Sequence, residues 1–244
     1  MPMIINYAHR GASGYCPENT MVSFAKAVEL GATGIETDVQ MTSDGHLVLI
    51  HDESLLRTTG VDKYVKDVTL AEIKQLDAGS WFAEGFAAEK IPTLDELMRL
   101  AKQSHINVNI EIKSGVFIYD GIEQKVIEKI YEYGLQHNVI ISNFNHYSLA
   151  LCKQIDPAIA TGILYMEGLY RPWDYAASLQ ADALHAPRYA VMPEWVEEAK
   201  QNDKIYNVWT VNNEQEMKSF VAAGVSGIIT DYPDRLHQIL HGKG

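Results

Sequence analysis

The sequence predicts an α/β fold closed as a (β/α)8 TIM barrel, on three observations. Short apolar runs recur at 4–9, 34–40, 106–112, 139–143, 160–165, 182–186, 205–211 and 226–230. A helical pattern follows each, at about 17–30, 93–104, 121–135, 146–156, 174–180, 193–203, 213–223 and 234–241. The helix starts carry their own signals. Thr93 heads TLDEL with Glu96 three residues on, a capping box. Asn213 precedes an acidic first turn, and Pro193 opens PEWVEEAK, where its missing N–H costs nothing. Strands that alternate with helices pair in parallel, and eight such units most simply close on themselves. An open, doubly wound sheet would show the same alternation and is the alternative architecture.

In chain order, Ile4, Ile5, Tyr7 and Ala8 lead into His9-Arg10-Gly11, a short buried strand ending in polar groups. Pro17-Glu18-Asn19-Thr20 then opens a helix that Gly31 stops. The second strand carries Glu36 and Asp38, whose spacing of two puts both carboxylates on one face. A further run, Leu47 to Ile50, brings His51 and Asp52 to its end. Later strands end near Glu111 and Lys113, Phe144 and Asn145, His185, and Thr230-Asp231, while Trp209 lies within the strand before the last. One segment breaks the rhythm. Between His51 and Pro92 stand a weak helix (70–76) and LDAGSWFAEGFAAEKIPTL. This is too long for a barrel loop and too short for a core of its own. The segment 53–90 is therefore expected as an insertion within a single catalytic domain spanning 1–244. It would pack over the barrel mouth with Trp81 and Phe82 as hydrophobic anchors; a surface excursion without a role is the plainer alternative.

The net charge of −12 disfavours nucleic acid or an anionic membrane as partner. It does not disfavour a small anionic substrate, because a local cation can invert the sign inside a cleft. With only Cys16 and Cys152, no disulfide framework is expected. No basic and apolar leader precedes the first strand, and no apolar run is long enough to span a bilayer. These features suggest a cytoplasmic protein without stable membrane association; a homodimer is compatible with them.

In such a barrel the site lies at the carboxyl ends of the strands. His9, Arg10, His51, Glu111 and Lys113 fall there, with Glu36 and Asp38 in the last half of their strand. Singly, each has an ordinary explanation as a solvated or hydrogen-bonded residue. Jointly, Glu36, Asp38 and Glu111 would repel unless a cation stood between them. Three carboxylates without a thiolate or imidazole suit a hard divalent cation, Mg²⁺ or Ca²⁺, rather than zinc. Arg10 offers a planar fork and Lys113 a point charge for a phosphoryl group. His9 and His51 suit proton transfer near neutrality. The positive charge near His9 favours its neutral form and the role of base. Asp52, turned toward His51, would favour imidazolium and the role of acid. Phe144 and Trp209 can wall a small glycerol-like group, although a strand tryptophan is more often core. His185 reads equally as structural or substrate-binding. Glu18 and Asn19 either cap the helix or orient Arg10 and the histidines.

The series HRG…PENT…ETD…HD, LDAGSWF…IPTL, Glu111-Ile-Lys113, SNFNHYSL, VWTVN and GIITDYP resembles the glycerophosphodiester phosphodiesterase family, in order from Ala8 to about Pro233. The resemblance implies a (β/α)8 barrel with a small insertion after the hairpin of the second strand, which accounts for 53–90. It implies hydrolysis of glycerophosphodiesters such as glycerophosphocholine or glycerophosphoethanolamine to glycerol 3-phosphate and an alcohol, with a divalent metal. By position, Glu36, Asp38 and Glu111 resemble the metal ligands, His9 and His51 the acid/base pair, Arg10 and Lys113 the phosphate contacts, and Trp209 the glycerol wall. Two rival functions are a phospholipase-type enzyme acting on lysophospholipids, which needs an apolar surface at the mouth, and a barrel scaffold without catalysis.

Overall fold

The computed structural model describes residues 4–242, so the extreme ends of the expected 1–244 domain lie outside the described residues. The chain runs β1 (Ile5–His9), α1 (Met21–Glu29), β2 (Gly34–Met41), β3 (Leu47–Leu49), α2 (Leu56–Thr59), α3 (Leu70–Ile73) and α4 (Leu94–Ser104). It continues β4 (Asn107–Ile112), α5 (Ile122–Tyr133), β5 (Val139–Asn143), α6 (His146–Ile155), β6 (Ala160–Leu164) and α7 (Pro172–Ser178). Last come β7 (Ala183–Pro187), α8 (Pro193–Gln201), β8 (Ile205–Trp209), α9 (Glu214–Ala223), β9 (Gly227–Thr230) and α10 (Pro233–His241). The strand order is β1-β9-β8-β7-β6-β5-β4-β2, and β1 pairs with β2 to close a parallel barrel. β3 adds to β2 in antiparallel fashion, Val39 opposite Leu49 and Met41 opposite Leu47. The open sheet is excluded.

Alternation along each strand separates two environments. Ile35 and Val39 of β2, Val108, Ile110 and Ile112 of β4, and Tyr206 and Val208 of β8 join Leu94, Leu97 and Met98 of α4 in the core between barrel and helices. The intervening positions hold polar groups at several levels: Glu36 and Asp38, Asn109 and Glu111, His185, Asn207. Neighbouring glycines make room for the large ones. A Cβ on Gly162 would stand 2.4 Å from His185 Nε2.

Boundaries move where turn chemistry intervenes. The first helix starts at Met21, not 17, because Thr20 is its N-cap and Asn19 adopts a left-handed φ of 52°. The expected capping box Thr93–Glu96 is present on α4, and Asn213 caps α9 through the N–H groups of Gln215 and Glu216. The helix expected at 174–180 begins at Pro172, which sits in its first turn. β8 ends at Trp209, short of the expected 211.

In the segment 53–90, α3 carries a capping box of its own, Thr69 with Glu72. β3 is apolar on both faces: Leu47 and Leu49 belong to the main core, whereas Val48 and Ile50 pack with Leu55, Val65, Val68, Ile73, Ala78 and Ile91. These aliphatic residues anchor the insertion. Trp81 and Phe82 do not. Trp81 is 40% exposed, and Phe82 is half-buried, stacked edge-to-face between Trp81 and Phe86. The turn that Asp77 caps through the N–H groups of Gly79 and Ser80 carries Trp81 outward, so small aliphatic residues fill the space expected for the aromatics.

Candidate active site

The chain turns sharply as it leaves β1. Arg10 and Gly11 both have positive φ, 55° and 83°, and a Cβ on Gly11 would collide with Ser23 Oγ at 2.2 Å. Only glycine permits this turn. It aims the Arg10 N–H at the Glu36 carbonyl (2.9 Å) and at Glu36 Oε2 (3.1 Å). Strand register does the rest, setting His9 beside Glu36 and Asp38 beside Glu111.

Glu36, Asp38 and Glu111 each offer a carboxylate oxygen, all within 4.8 Å of one another. Their electrostatics diverge. Burial, then the charges of Asp38 and Glu111, push Glu36 well above the usual carboxylate range. Burial and Asp38 push Glu111 up to about 7. Burial also acts to raise Asp38, but the charges of Arg10, Lys113 and His51 and the Asn19 amide hold it at about 2. Asn19 Nδ2 donates to Asp38 Oδ2 at 2.9 Å, and Arg10 Nε lies 3.3 Å from the same oxygen. Lys113 Nζ donates to Glu111 Oε1 (2.9 Å) and stands 3.8 Å from Asp38 Oδ1. Two carboxyls driven toward protonation by burial and by each other form an under-neutralised oxygen cluster. That donor set fits a hard divalent cation.

Each histidine is fixed by a carboxylate. His9 Nδ1 and Asp231 Oδ1 are 2.7 Å apart, as are His51 Nδ1 and Asp52 Oδ1. Asp231 is further held by Ser13 Oγ (3.0 Å) and Asn212 Nδ2 (2.6 Å). Despite burial, which acts to raise both, Asp231 is lowered by its bond to His9, and Asp52 is held at about 2 by its bonds to Arg57 and His51. Ionised carboxylates only accept, so Nδ1 carries the proton in both rings and Nε2 is left for the reaction. Asp52 therefore does not by itself mark His51 as the acid, since Asp231 does the same at His9. What distinguishes His51 is its surroundings. Burial is the main cause that lowers its pKa, with the Arg10 and Lys113 cations acting the same way against the opposing pull of Asp38 and Asp52.

One pocket at the carboxyl ends of the strands is lined by His9, Arg10, Glu36, His51, Glu111, Lys113, Phe144 and Trp209. Asp38, 1% exposed, stands just behind it. The rings of Phe144 and Trp209 meet edge-to-face at 5.8 Å, and Trp209 Nε1 donates to the His185 carbonyl at 2.9 Å. His185 itself is fully buried between the amides of Asn109 (3.4 Å) and Asn207 (3.0 Å), with its pKa pushed down to about 3 by burial. Its role is structural. Glu18 accepts from Arg10 Nη1 at 2.9 Å, so it orients that side chain rather than capping a helix. The nine expected site residues thus converge. Asp231, Asn212, Ser13 and Arg57 were not expected in these roles. GIITDYP put Asp231 at a strand end, but its partner His9 lies at the other end of the chain.

Residues 9–235 match the model of the glycerophosphoryl diester phosphodiesterase family. The chain belongs to this family. It is 50% identical over 237 residues to a glycerophosphodiester phosphodiesterase of Caldanaerobacter subterraneus subsp. tengcongensis, covering 97% of this chain and 98% of the relative. A glycerophosphodiester phosphodiesterase of Bacillus altitudinis is 41% identical over 236 residues, 96% of each chain. Among solved structures, a phosphodiesterase of Oleispira antarctica in complex with the product sn-glycerol-3-phosphate superposes with a TM-score of 0.86 at 30% identity, over 98% of this chain and 97% of the other. As a member of the family the protein is a hydrolase, a glycerophosphodiester phosphodiesterase, on a (β/α)8 barrel. No helix among the described residues is long and apolar enough to cross a membrane.

Proposed function

We propose that the protein hydrolyses glycerophosphodiesters such as glycerophosphocholine or glycerophosphoethanolamine to glycerol 3-phosphate and an alcohol, using Mg²⁺ or Ca²⁺. The observation that carries this reading is the opening of two carboxylate-backed histidines, two cations and the acidic cluster into a single pocket. Glu36, Asp38 and Glu111 would hold the cation, which when bound supplies charge neutralisation to the phosphoryl oxygens. Arg10 and Lys113 bind the phosphate, and Phe144 and Trp209 wall the glycerol group. His51, kept neutral by burial and the adjacent cations, takes at Nε2 the proton of the attacking oxygen, which is water or the substrate's own glycerol hydroxyl; the latter gives a cyclic phosphate that water then opens to glycerol 3-phosphate. His9, backed by Asp231 and with Nε2 4.0 Å from Glu36 Oε2, gives its Nε2 proton to the leaving alcohol oxygen. Residues 53–90 belong to the same catalytic domain as an insertion beside the mouth. A cytoplasmic location is supported by two buried, unpaired cysteines. The test is release of choline from glycerophosphocholine with and without chelator; no release with either metal present overturns the reading.

One observation favours a second reading, in which the substrate is a lysophospholipid. Ile118, Tyr170 and Tyr189, in the connections after β4, β6 and β7, and Tyr147, in the first turn of α6, are exposed (84%, 92%, 66% and 90%) around the catalytic mouth. An acyl chain on the glycerol would find apolar surface there. Hydrolysis of lysophosphatidylcholine in preference to glycerophosphocholine would support it.

A further inference from the structure

Arg57, on the short helix α2, reaches from the insertion to the groups behind the pocket. Its Nη1 and Nη2 donate to the two oxygens of Glu18 at 2.9 and 2.8 Å. Its Nε and Nη2 donate to the two oxygens of Asp52 at 2.5 and 3.0 Å. Glu18 also accepts from Arg10 Nη1 at 2.9 Å, and Asp52 bonds His51 Nδ1 at 2.7 Å. Charge therefore alternates along Arg10, Glu18, Arg57, Asp52 and His51. The Trp81 ring covers the guanidinium, its centroid 5.7 Å from the central carbon, which gives that exposed tryptophan a use. An isolated surface ion pair contributes little, but a fork bonded to two carboxylates in a network is fixed in direction.

We infer that Arg57 is a positioning residue for the phosphodiesterase reaction, dividing the charge of Glu18 and Asp52 so that Arg10 stays available to phosphate and His51 stays available as base. The inference rests on the roles proposed above for Arg10 and His51. Without Arg57, Glu18 bears on Arg10 alone and competes with the phosphate. Asp52 bears on His51 alone and raises its affinity for a proton. The other charged groups around His51, namely Asp38 of β2, Arg10 after β1 and Lys113 after β4, are unchanged by the substitution.

The test is steady-state kinetics on glycerophosphocholine from pH 5 to 9, with divalent cation supplied, for the wild type, Arg57→Ala and Arg57→Gln. Thermal unfolding is followed in parallel. The expected result is a KM raised about three- to tenfold, kcat/KM lowered about ten- to a hundredfold, and the acid limb of the profile moved up by about half to one pH unit. A merely structural role would lower the active fraction and leave KM and the limb in place; that result in a folded variant overturns the inference. Should Arg57→Ala not fold, Arg57→Gln keeps part of the stem and a polar end without the charge. Glu18→Gln, which leaves the Arg57 fork to Asp52 alone, must then move the limb down, opposite to the Arg57 variants, and a limb left in place or moved up there also overturns the inference. A wild type inactive on glycerophosphodiesters overturns the functional reading and this inference with it. An active wild type with kinetically silent Arg57 variants overturns this inference alone.

Discussion

On the side of the mouth formed by β1, β2, β3 and the insertion, the rim is charged and tied together. Arg10, Glu18, Arg57, Asp52 and His51 are linked by bonds of 2.5 to 3.0 Å, and Asp38 and Asn19 fix Arg10 from behind. On the side that carries Ile118, Tyr147, Tyr170 and Tyr189, large apolar side chains project into solvent. Tyr189 is restrained through its hydroxyl to the Met166 carbonyl at 2.9 Å, while Tyr147 and Tyr170 are nine-tenths exposed or more. The first side suits a group with fixed geometry and charge, the phosphate. The second suits a group recognised by apolar area, where no exact fit is needed. If chemistry and substrate choice lie on different sides of one pocket, substitutions should separate them.

The largest effect should come from the acidic cluster. Glu36→Gln, Asp38→Asn or Glu111→Gln should each lower cation-dependent turnover by about a thousandfold or more, on every substrate alike. Two of these variants, Glu36→Gln and Glu111→Gln, should have the opposite effect on stability. Glu36 and Glu111 have folded-state pKa values raised by burial and by their carboxylate neighbours. Their contribution to stability is therefore full below the unfolded value of about 4.3 and is lost as pH rises, for Glu111 through about 7. At pH 8 in chelator, Glu36→Gln and Glu111→Gln should melt higher than the wild type, and added Mg²⁺ or Ca²⁺ should raise the melting temperature of the wild type only. A cation-induced gain equal in all of them would remove the cluster from consideration as the metal site.

The histidines come next, at about 10²- to 10⁴-fold each. A p-nitrophenyl leaving group needs little protonation, so His9→Ala should hydrolyse a p-nitrophenyl phosphodiester far better than glycerophosphocholine, whereas His51→Ala should lose both. The opposite pattern would exchange the roles of acid and base. Because the base must be neutral and its pKa is lowered, the acid limb of the wild-type kcat/KM profile should fall below the ordinary imidazole value of about 6.5.

Much of this charged side was legible in the sequence, because its residues sit at strand ends where barrel geometry must bring them together. Glu36 and Asp38 share a face by period two, and His9, His51, Glu111 and Lys113 terminate strands. The links between them were less legible. Asp231 meets His9 only when the last strand pairs with the first, a contact across 222 positions. Arg57 lies in the insertion, where no period marks a direction. Trp81 and Phe82 are not the anchors that the sequence suggests, because aromatic content signals burial only on average, and the aliphatic residues along β3 and α3 already fill that core. Tyr147 falls in the expected helix 146–156, but the exposure of Tyr170 depends on a loop path that no strand or helix pattern sets.

Arg10→Lys should follow, at about 2–4 kcal/mol of transition-state stabilisation, read mainly in kcat because a lysine keeps the charge and loses the fork. Glu18 and Asp38 are both placed to grip a planar guanidinium, and an ammonium cannot satisfy them and the phosphate together. A silent Arg10→Lys would mean that the fork does not face the transferred group, and the charged side would then lose its distinguishing role.

The smallest effect should come from the apolar rim, and it should depend on the substrate. Burying one methylene fully is worth about 0.8 kcal/mol, but a side chain on an open rim covers an acyl chain on one side only. About 1 kcal/mol for each of Ile118, Tyr147 and Tyr170, or roughly fivefold in KM, is therefore the expected scale for substitution by serine. These side chains are already in water, so their replacement should leave the melting temperature and the hydrolysis of glycerophosphocholine unchanged. The change should show only with lysophosphatidylcholine, measured below its micelle concentration, and should grow with acyl length. If all three variants treat both substrates as the wild type does, the aromatic rim has no part in substrate choice. If both substrates suffer equally, the rim shapes the catalytic pocket itself, and the separation between the two sides of the mouth does not hold.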